Sequence, residues 1–420
     1  MQKFIVEGEK RLSGELKIQG AKNSALPILA ACLLVRGECV LKNCPALSDV
    51  YASCRILTSL GCECRAEDNT VTVRTLSPQG CFVPDELMRE MRSSIVFLGA
   101  ALGRTGECVL SFPGGCELGP RPIDMHLSAL RRMGAEITEK HGMLCCRSSG
   151  RLKGSDISLP FPSVGATENI MLAAVLADGT TVIRNAAREP EISDLASFLN
   201  KCGARIKGTG SDTVTVEGVS ELGGCEYVIM PDRIVVCTML SAVACAGGEI
   251  SLIGAERRSV DAVIPVFEQM GCGIYACSDR LFAACSRPLK AVGTVRTMPY
   301  PGFPTDAQAP VMAALAKAEG TSVIVENIFE NRYRHVGELV RMGADIRTEG
   351  KVAVVRGVRK LYGAKVRAAD LRGGAALTAA ALGAEGITEI SNVRFIDRGY
   401  ENLEKQLSAL GASVRRETIK

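Results

Sequence analysis

Tryptophan is absent from this 420-residue chain, aromatic residues make up only 4% of it, and histidine occurs three times. Nucleic-acid binding by stacking needs aromatic platforms, and binding by charge needs a broad basic face. The net charge is +4 and no block of Lys or Arg stands out, so neither mode is expected. Long apolar runs are also missing. ALPILAACLLV (25–35) falls short of the ~20 residues that span a bilayer. The opening MQKFIVEGEKRL is not a secretory signal. A soluble, cytoplasmic protein is expected, with its cysteines as reduced thiols. Cys62-x-Cys64 and Cys145-Cys146 find no second pair at zinc-ribbon spacing, so no metal is expected. GAKNS (20–24) lacks the spacing of a P-loop, and no G-x-G-x-x-G occurs. Nucleotide hydrolysis and hydride transfer lose their main support, and no cofactor is expected.

What is present is repetition. The length suggests two or three domains, and 47% hydrophobic residues suffice for large cores. One motif recurs six times: LTSLGCEC, LRRMGAEI, LNKCGARI, FEQMGCGI, LVRMGADI and LSALGASV. Its glycines are Gly61, Gly134, Gly203, Gly271, Gly343 and Gly411, at spacings of 73, 69, 68, 72 and 68. Each reads as a helix end, a C-cap glycine and the start of a strand. By this alignment Cys62, Cys64 and Cys272 replace small apolar residues and belong to cores. The full unit reads as helix, strand, loop, helix and a two-stranded hairpin. The sixth hairpin, GASVRRETIK, has one strand, and residues 1 to about 21 supply the missing half. Two domains of three units are expected: 22–230, and 1–21 with 231–420. A six-unit solenoid is the alternative, but solenoids cap their ends instead of joining them.

Polar residues collect where each unit's first helix begins: Lys22-Asn23, Arg92-Ser93, Ser163-Val164-Gly165, Asp232-Arg233, Thr305-Asp306 and Asp370-Leu371-Arg372. Helix N-termini suit anions. The loop before the second helix is also charged, with Arg121, Arg188-Glu189, Arg257-Arg258, Arg332 and Arg398. Singly, such residues are usually caps or solvated charges. Recurring over six units, they point to a substrate with several negative charges, such as phosphate plus carboxylate. A cysteine, Cys116, sits apart from any apolar periodicity in the glycine- and proline-rich stretch SFPGGCELGPRPIDMH (111–126).

Essentially the whole chain resembles the UDP-N-acetylglucosamine 1-carboxyvinyltransferases of the enolpyruvyl transferase family. The resemblance rests on GAKNSALPI, PGGCELGPRPIDMH, PSVGATENIM, NAAREPEI, PDRI, FPTDAQAP, FENRYRHV, DLRGGAAL and FIDRGYE. It implies an α/β fold of two inside-out α/β barrels, each with three-fold internal symmetry. It implies transfer of enolpyruvyl from phosphoenolpyruvate to the 3′-hydroxyl of UDP-N-acetylglucosamine, the first committed step of peptidoglycan synthesis. By the family pattern Cys116 is the acid that protonates C3, on a mobile loop. Asp306 takes the hydroxyl proton, and could also cap the helix starting near Ala307. Lys22, Arg121 and Arg398 hold phosphoenolpyruvate, with Lys22 and Arg398 acting in catalysis. Arg92 and Arg332 line the same cleft, which Asp370 and Arg372 support. Asn23, Arg121, Pro122, Ile123, Asp124, Met125, Ser163, Val164 and Ile328 match contacts to the UDP-sugar, and Asp306 is expected to touch substrate as well.

The chain departs from the family pattern at Phe161, where relatives carry Lys, at Val235-Val236-Cys237, usually more acidic, and at Gly373-Gly374, commonly an Ala-containing pair. These bear on affinity more than on the reaction. A 5-enolpyruvylshikimate-3-phosphate synthase would share the fold and donor but lack the PGGC loop. A regulatory, non-catalytic paralogue would be expected to have lost Cys116, Asp306 or an arginine. No oligomeric state is indicated.

Overall fold

The computed structural model describes residues 2–75, 81–114, 123–286 and 288–418, and these form an α/β protein. All six repeat glycines have positive φ, between 87° at Gly411 and 106° at Gly203. An L side chain would be strained there, whereas glycine turns the chain from helix to strand at little cost.

Among the described residues, six sheets share one plan. A strand leaving the core helix pairs antiparallel with the second strand of the following hairpin, and that strand pairs with the first. Val35–Lys42 meets Thr70–Thr75, which meets Glu63–Glu67. The same order recurs in Glu107–Ser111, Met143–Arg147 and Glu136–Lys140. It recurs in Thr180–Arg184, Thr213–Glu217 and Arg205–Lys207, in Gly248–Ile253, Arg280–Cys285 and Cys272–Cys277, and in Thr321–Val325, Val352–Arg356 and Asp345–Glu349. In the sixth sheet Ile387–Ser391 pairs with Gln2–Glu7, which pairs with Ser413–Thr418. The two ends of the chain thus build one hairpin.

A further strand joins the opposite edge of five sheets in parallel. Leu12–Lys17 lies beside Gly248–Ile253, and Lys365–Arg367 beside Ile387–Ser391. In the sheet of Glu107–Ser111 that place holds only the parallel bridge of Phe82 to Val109.

By internal contacts the chain divides into two units, residues 2–19 with 231–418, and 20–114 with 123–230. In the first, helices Arg233–Ala246, Thr305–Leu315 and Leu371–Leu382 pack on one another. Every residue of Arg233–Ala246 is buried, which explains its apolar character on all sides. Val235, Val236 and Cys237 are part of this core. In the second unit helix Phe97–Thr105 packs against Lys22–Cys32 and Val164–Ala174. A Cβ on Gly99 would lie 2.2 Å from the Asn169 carbonyl oxygen, so only glycine permits that approach.

Cys62 and Cys272 are buried in the cores, as the repeat alignment requires, and Cys64 is partly buried against one. One expectation is corrected. Cys272 and Cys285 are directly opposed in their hairpin, with Cα atoms 4.4 Å apart, and form a disulfide. Cross-strand neighbours this close can be bridged without moving the backbone.

Candidate active site

Helix starts position most of the expected site residues. In the unit of residues 20–230, Lys22 opens helix Lys22–Cys32 without a side-chain cap. Its ammonium is buried and paired at 2.6 Å with Asp49, itself buried at the start of helix Ser48–Ser59. The following turn is anchored from below. Ser24 donates its hydroxyl to Asp194, which also accepts from the Tyr227 hydroxyl at 2.6 Å and the Met230 N–H at 3.3 Å. Asn23 lies between these two anchored residues.

Arg92 opens the 3₁₀ turn Arg92–Val96 and donates to the Pro113 carbonyl at 3.3 Å. Ile123 precedes helix Asp124–Arg132, whose start leaves Asp124 exposed and Met125 half-buried. Ser163 caps helix Val164–Ala174, its oxygen accepting from Ala166 N–H at 3.3 Å. One buried side chain ties these three segments together. The Asn169 amide donates to the Ile95 carbonyl and to His126 Nδ1, both at 2.9 Å, and accepts from Gly99 N–H at 2.5 Å. Burial, helped by nearby Arg92, holds the His126 imidazole down to about 4, against the opposing effect of Asp124. The ring is therefore neutral near pH 7, and Nδ1 is free to accept.

In the unit of residues 231–418, Asp306 is the centre. It does not cap its helix: Thr305–Leu315 starts after Pro304 with no side-chain cap. Both carboxylate oxygens are engaged instead, by Arg332 Nη2 at 2.7 Å and Arg372 Nη2 at 2.9 Å. Burial pushes the Asp306 carboxyl up, but Arg372 and Arg332 outweigh it and hold it far below the usual carboxylate range. Arg332 also donates to the Thr305 carbonyl at 3.0 Å, and Arg372 to the Tyr400 hydroxyl at 3.2 Å. Asp370 caps the helix bearing Arg372, accepting from Arg372 and Gly373 N–H at 2.9 Å. Gly373 and Gly374 let that helix start pack closely. A Cβ on the first would approach His335 Cβ to 2.9 Å, and one on the second Ile396 Cγ1 to 2.6 Å.

Arg398 ends the 3₁₀ helix Val393–Arg398, two residues before Tyr400. Ile328 N–H donates at 2.9 Å to Glu326, a buried carboxylate that also accepts from the Thr297 and Thr305 hydroxyls at 3.0 Å.

The structure thus joins Asp306, Arg332, Arg372 and Asp370 directly, and separately joins the segments of Arg92, Asp124 and Ser163. Cys116, Arg121 and Pro122 lie outside the described residues. Other charged positions have ordinary roles. Asp232 caps its helix, and Arg257 and Arg258 pair with acidic neighbours on the surface. Asp49, Asn169, Asp194, Tyr227, Glu326 and Tyr400 went unnoticed in the sequence. Asn169 stands in PSVGATENIM and Tyr400 in FIDRGYE, but nothing in their spacing marks them as hubs.

Residues 6–407 match the model of the EPSP synthase (3-phosphoshikimate 1-carboxyvinyltransferase) family. The chain belongs to the enolpyruvyl transferase family. Within the family its near relatives share one name. It is 50% identical over 416 residues to UDP-N-acetylglucosamine 1-carboxyvinyltransferase 2 of Caldanaerobacter subterraneus subsp. tengcongensis, covering 99% of this chain and 100% of that one. It is 50% identical to UDP-N-acetylglucosamine 1-carboxyvinyltransferase 1 of Symbiobacterium thermophilum, covering 99% and 95%. Among solved structures, the enolpyruvyl transferase NikO from Streptomyces tendae superposes with a TM-score of 0.90 at 25% identity, covering 100% of this chain and 99% of that one. An EPSP synthase from Acinetobacter baumannii gives 0.76 at 18% identity, with both chains covered completely, and shares the fold. Among the described residues no helix is long and apolar enough to cross a membrane.

Proposed function

We propose that this enolpyruvyl transferase moves the enolpyruvyl group of phosphoenolpyruvate to the 3′-hydroxyl of UDP-N-acetylglucosamine and releases phosphate. The observation that carries the reading is the 50% identity, over nearly the full length of both chains, to relatives named for that reaction. Each unit is read as an inside-out α/β barrel of three repeats, with domains 22–230 and 1–21 plus 231–420. The enzyme acts in the cytoplasm, in peptidoglycan synthesis.

The chemistry is addition followed by elimination. The sugar hydroxyl attacks C2 while C3 takes a proton, giving a tetrahedral ketal. Loss of phosphate and a C3 proton restores the double bond. Cys116 supplies and recovers the C3 proton, and a thiol near arginines suits that task. Lys22, Arg121 and Arg398 hold phosphoenolpyruvate, with Arg92 beside them. Asn23, the stretch 121–125, Ser163, Val164 and Ile328 hold the UDP-sugar. Cations fixed around carboxylate and phosphate stabilise the charge that develops in the transition state.

Asp306 accepts the hydroxyl proton, and its geometry sets a condition. A carboxylate held by two guanidiniums is a weak base. An anionic substrate that draws Arg332 or Arg372 toward itself restores proton affinity to Asp306. Base strength is then coupled to substrate binding.

The test is phosphate release from phosphoenolpyruvate with either UDP-N-acetylglucosamine or shikimate 3-phosphate as acceptor, for wild type and Cys116→Ala. Release only with the UDP-sugar, lost in the variant, is expected. Release with shikimate 3-phosphate overturns the acceptor, and release by neither from folded protein favours a non-catalytic paralogue.

A further inference from the structure

Four of the 18 cysteines converge in the unit of residues 20–230, and the reaction uses none of them. Cys32 ends helix Lys22–Cys32, and Cys39 lies in strand Val35–Lys42. Cys202 caps helix Pro190–Lys201, and Cys225 precedes strand Glu226–Val228, which runs parallel beside Val35–Lys42. Interactions with Cys202, Cys32 and Cys225, against the effect of burial, lower the Cys39 thiol below its ordinary value. The sulfurs of Cys202 and Cys225 are 3.4 Å apart. Their backbones are already tied, since Gly223 N–H donates to the Cys202 carbonyl at 2.8 Å and Val40 N–H to the Cys225 carbonyl at 2.9 Å. Metal capture is not what the arrangement offers: among the described residues no group of three or more Cys, His, Asp or Glu is placed to hold an ion. Adjacent thiols have a second chemistry, oxidation.

We propose that Cys202 and Cys225 form a peroxide-reactive dithiol that closes to a disulfide. Cys225 is half-buried, whereas Cys32, Cys39 and Cys202 are buried, so Cys225 is the sulfur a small peroxide reaches. Its thiolate attacks the O–O bond and becomes a sulfenic acid, releasing water from hydrogen peroxide. The Cys202 sulfur then displaces the sulfenic hydroxyl as a second water, and the S–S bond forms. Two thiols are oxidised and one peroxide is reduced, with no other reactant. The sulfurs need to close from 3.4 Å to roughly 2.05 Å. Burial, and after it the neighbouring Cys39, raise the Cys225 thiol above its ordinary value, opposed by the hydrogen bond shared with Cys202 and by the Lys201 ammonium. The thiolate fraction, and with it the reaction rate, therefore grows from neutral to mildly alkaline pH. The bond would clasp the end of helix Pro190–Lys201 to the strand carrying Tyr227. That residue holds Asp194, and Asp194 holds Ser24 beside Lys22.

The test treats the full chain, in a Cys116→Ala background, with hydrogen peroxide. Remaining thiols are then alkylated, and peptides are mapped without reduction. A Cys202–Cys225 linked peptide should replace most of the free Cys225 peptide, increase with pH, and revert to two alkylatable thiols under a dithiol reductant. Cys225→Ser should lack it while melting as the parent does. Full alkylation of Cys225 after peroxide, linkage to another cysteine, or a sulfinic acid at Cys225 overturns the proposal. The readout is mass, so failure here leaves the enolpyruvyl transfer reading untouched.

Discussion

Replacing Asp306 by Asn removes one negative charge and leaves two buried cations facing each other. The Arg332 and Arg372 side chains are only 3% and 4% exposed, while Asp306 itself is 26% exposed. Removing one partner of a buried ion pair costs about 3–5 kcal/mol. Each arginine keeps one other acceptor, Thr305 carbonyl or Tyr400 hydroxyl, which places the expected loss near the lower end, about 3 kcal/mol. For a unit of this size that is a fall in melting temperature of roughly 6–12 °C, read by circular dichroism or calorimetry. The pH dependence has a definite sign. The folded-state pKa of Asp306 lies below its unfolded value. Its contribution is thus fully present above about pH 4 and declines as pH falls further. Wild type and variant should differ by a constant amount from pH 7 to about 5 and converge below that range. A shift smaller than about 1 °C at pH 7, or a gap that widens on acidification, would refute the view that Asp306 is the counter-ion of both arginines.

Asp194→Ala should raise the KM for the UDP-sugar or phosphoenolpyruvate more than it lowers kcat. It frees the Ser24 end of the Lys22 turn without touching a reacting atom, and steady-state kinetics separates the two effects. Asp194→Asn, which keeps the acceptor oxygen, should recover part of the loss. Gly99→Ala places a methyl 2.2 Å from the Asn169 carbonyl oxygen, and should destabilise the chain by at least about 2 kcal/mol in a denaturant titration. Asn169→Leu leaves Ile95 carbonyl, Gly99 N–H and His126 unpaired, at about 1–3 kcal/mol for each group left buried, and should also weaken UDP-sugar binding in calorimetry.

The repeat was legible in the sequence because its signal is conformational. Six glycines at similar spacing meant six positive-φ helix ends, and the structure has them. The split sixth hairpin was legible too, since a lone terminal strand needs a partner, and Gln2–Glu7 provides it. The parallel strand that joins five sheets at their far edge was not read. Short stretches such as Lys365–Arg367 carry no period of their own, and only pairing with Ile387–Ser391 makes them strands. Lys22, Asp306 and Arg372 do stand at helix starts, as the sequence placed them, because the signals that begin a helix are local.

The partners of those residues were hidden for a physical reason. Asp49, Asn169 and Asp194 act through contacts between elements far apart in the chain, and a buried polar residue is known by what it pairs with, not by its spacing. Asp306 makes the point sharply. Its place at a helix start suggested a cap, yet the two guanidiniums compete for the same oxygens and win. A capping bond contributes about 1 kcal/mol, whereas two desolvated cations without a counter-charge cost several times that. The same inequality explains how the base proposed at Asp306 would sit ionised and idle in the resting protein. The arginines that stabilise the resting fold also suppress basicity, so one arrangement serves both until a more highly charged anion competes for them.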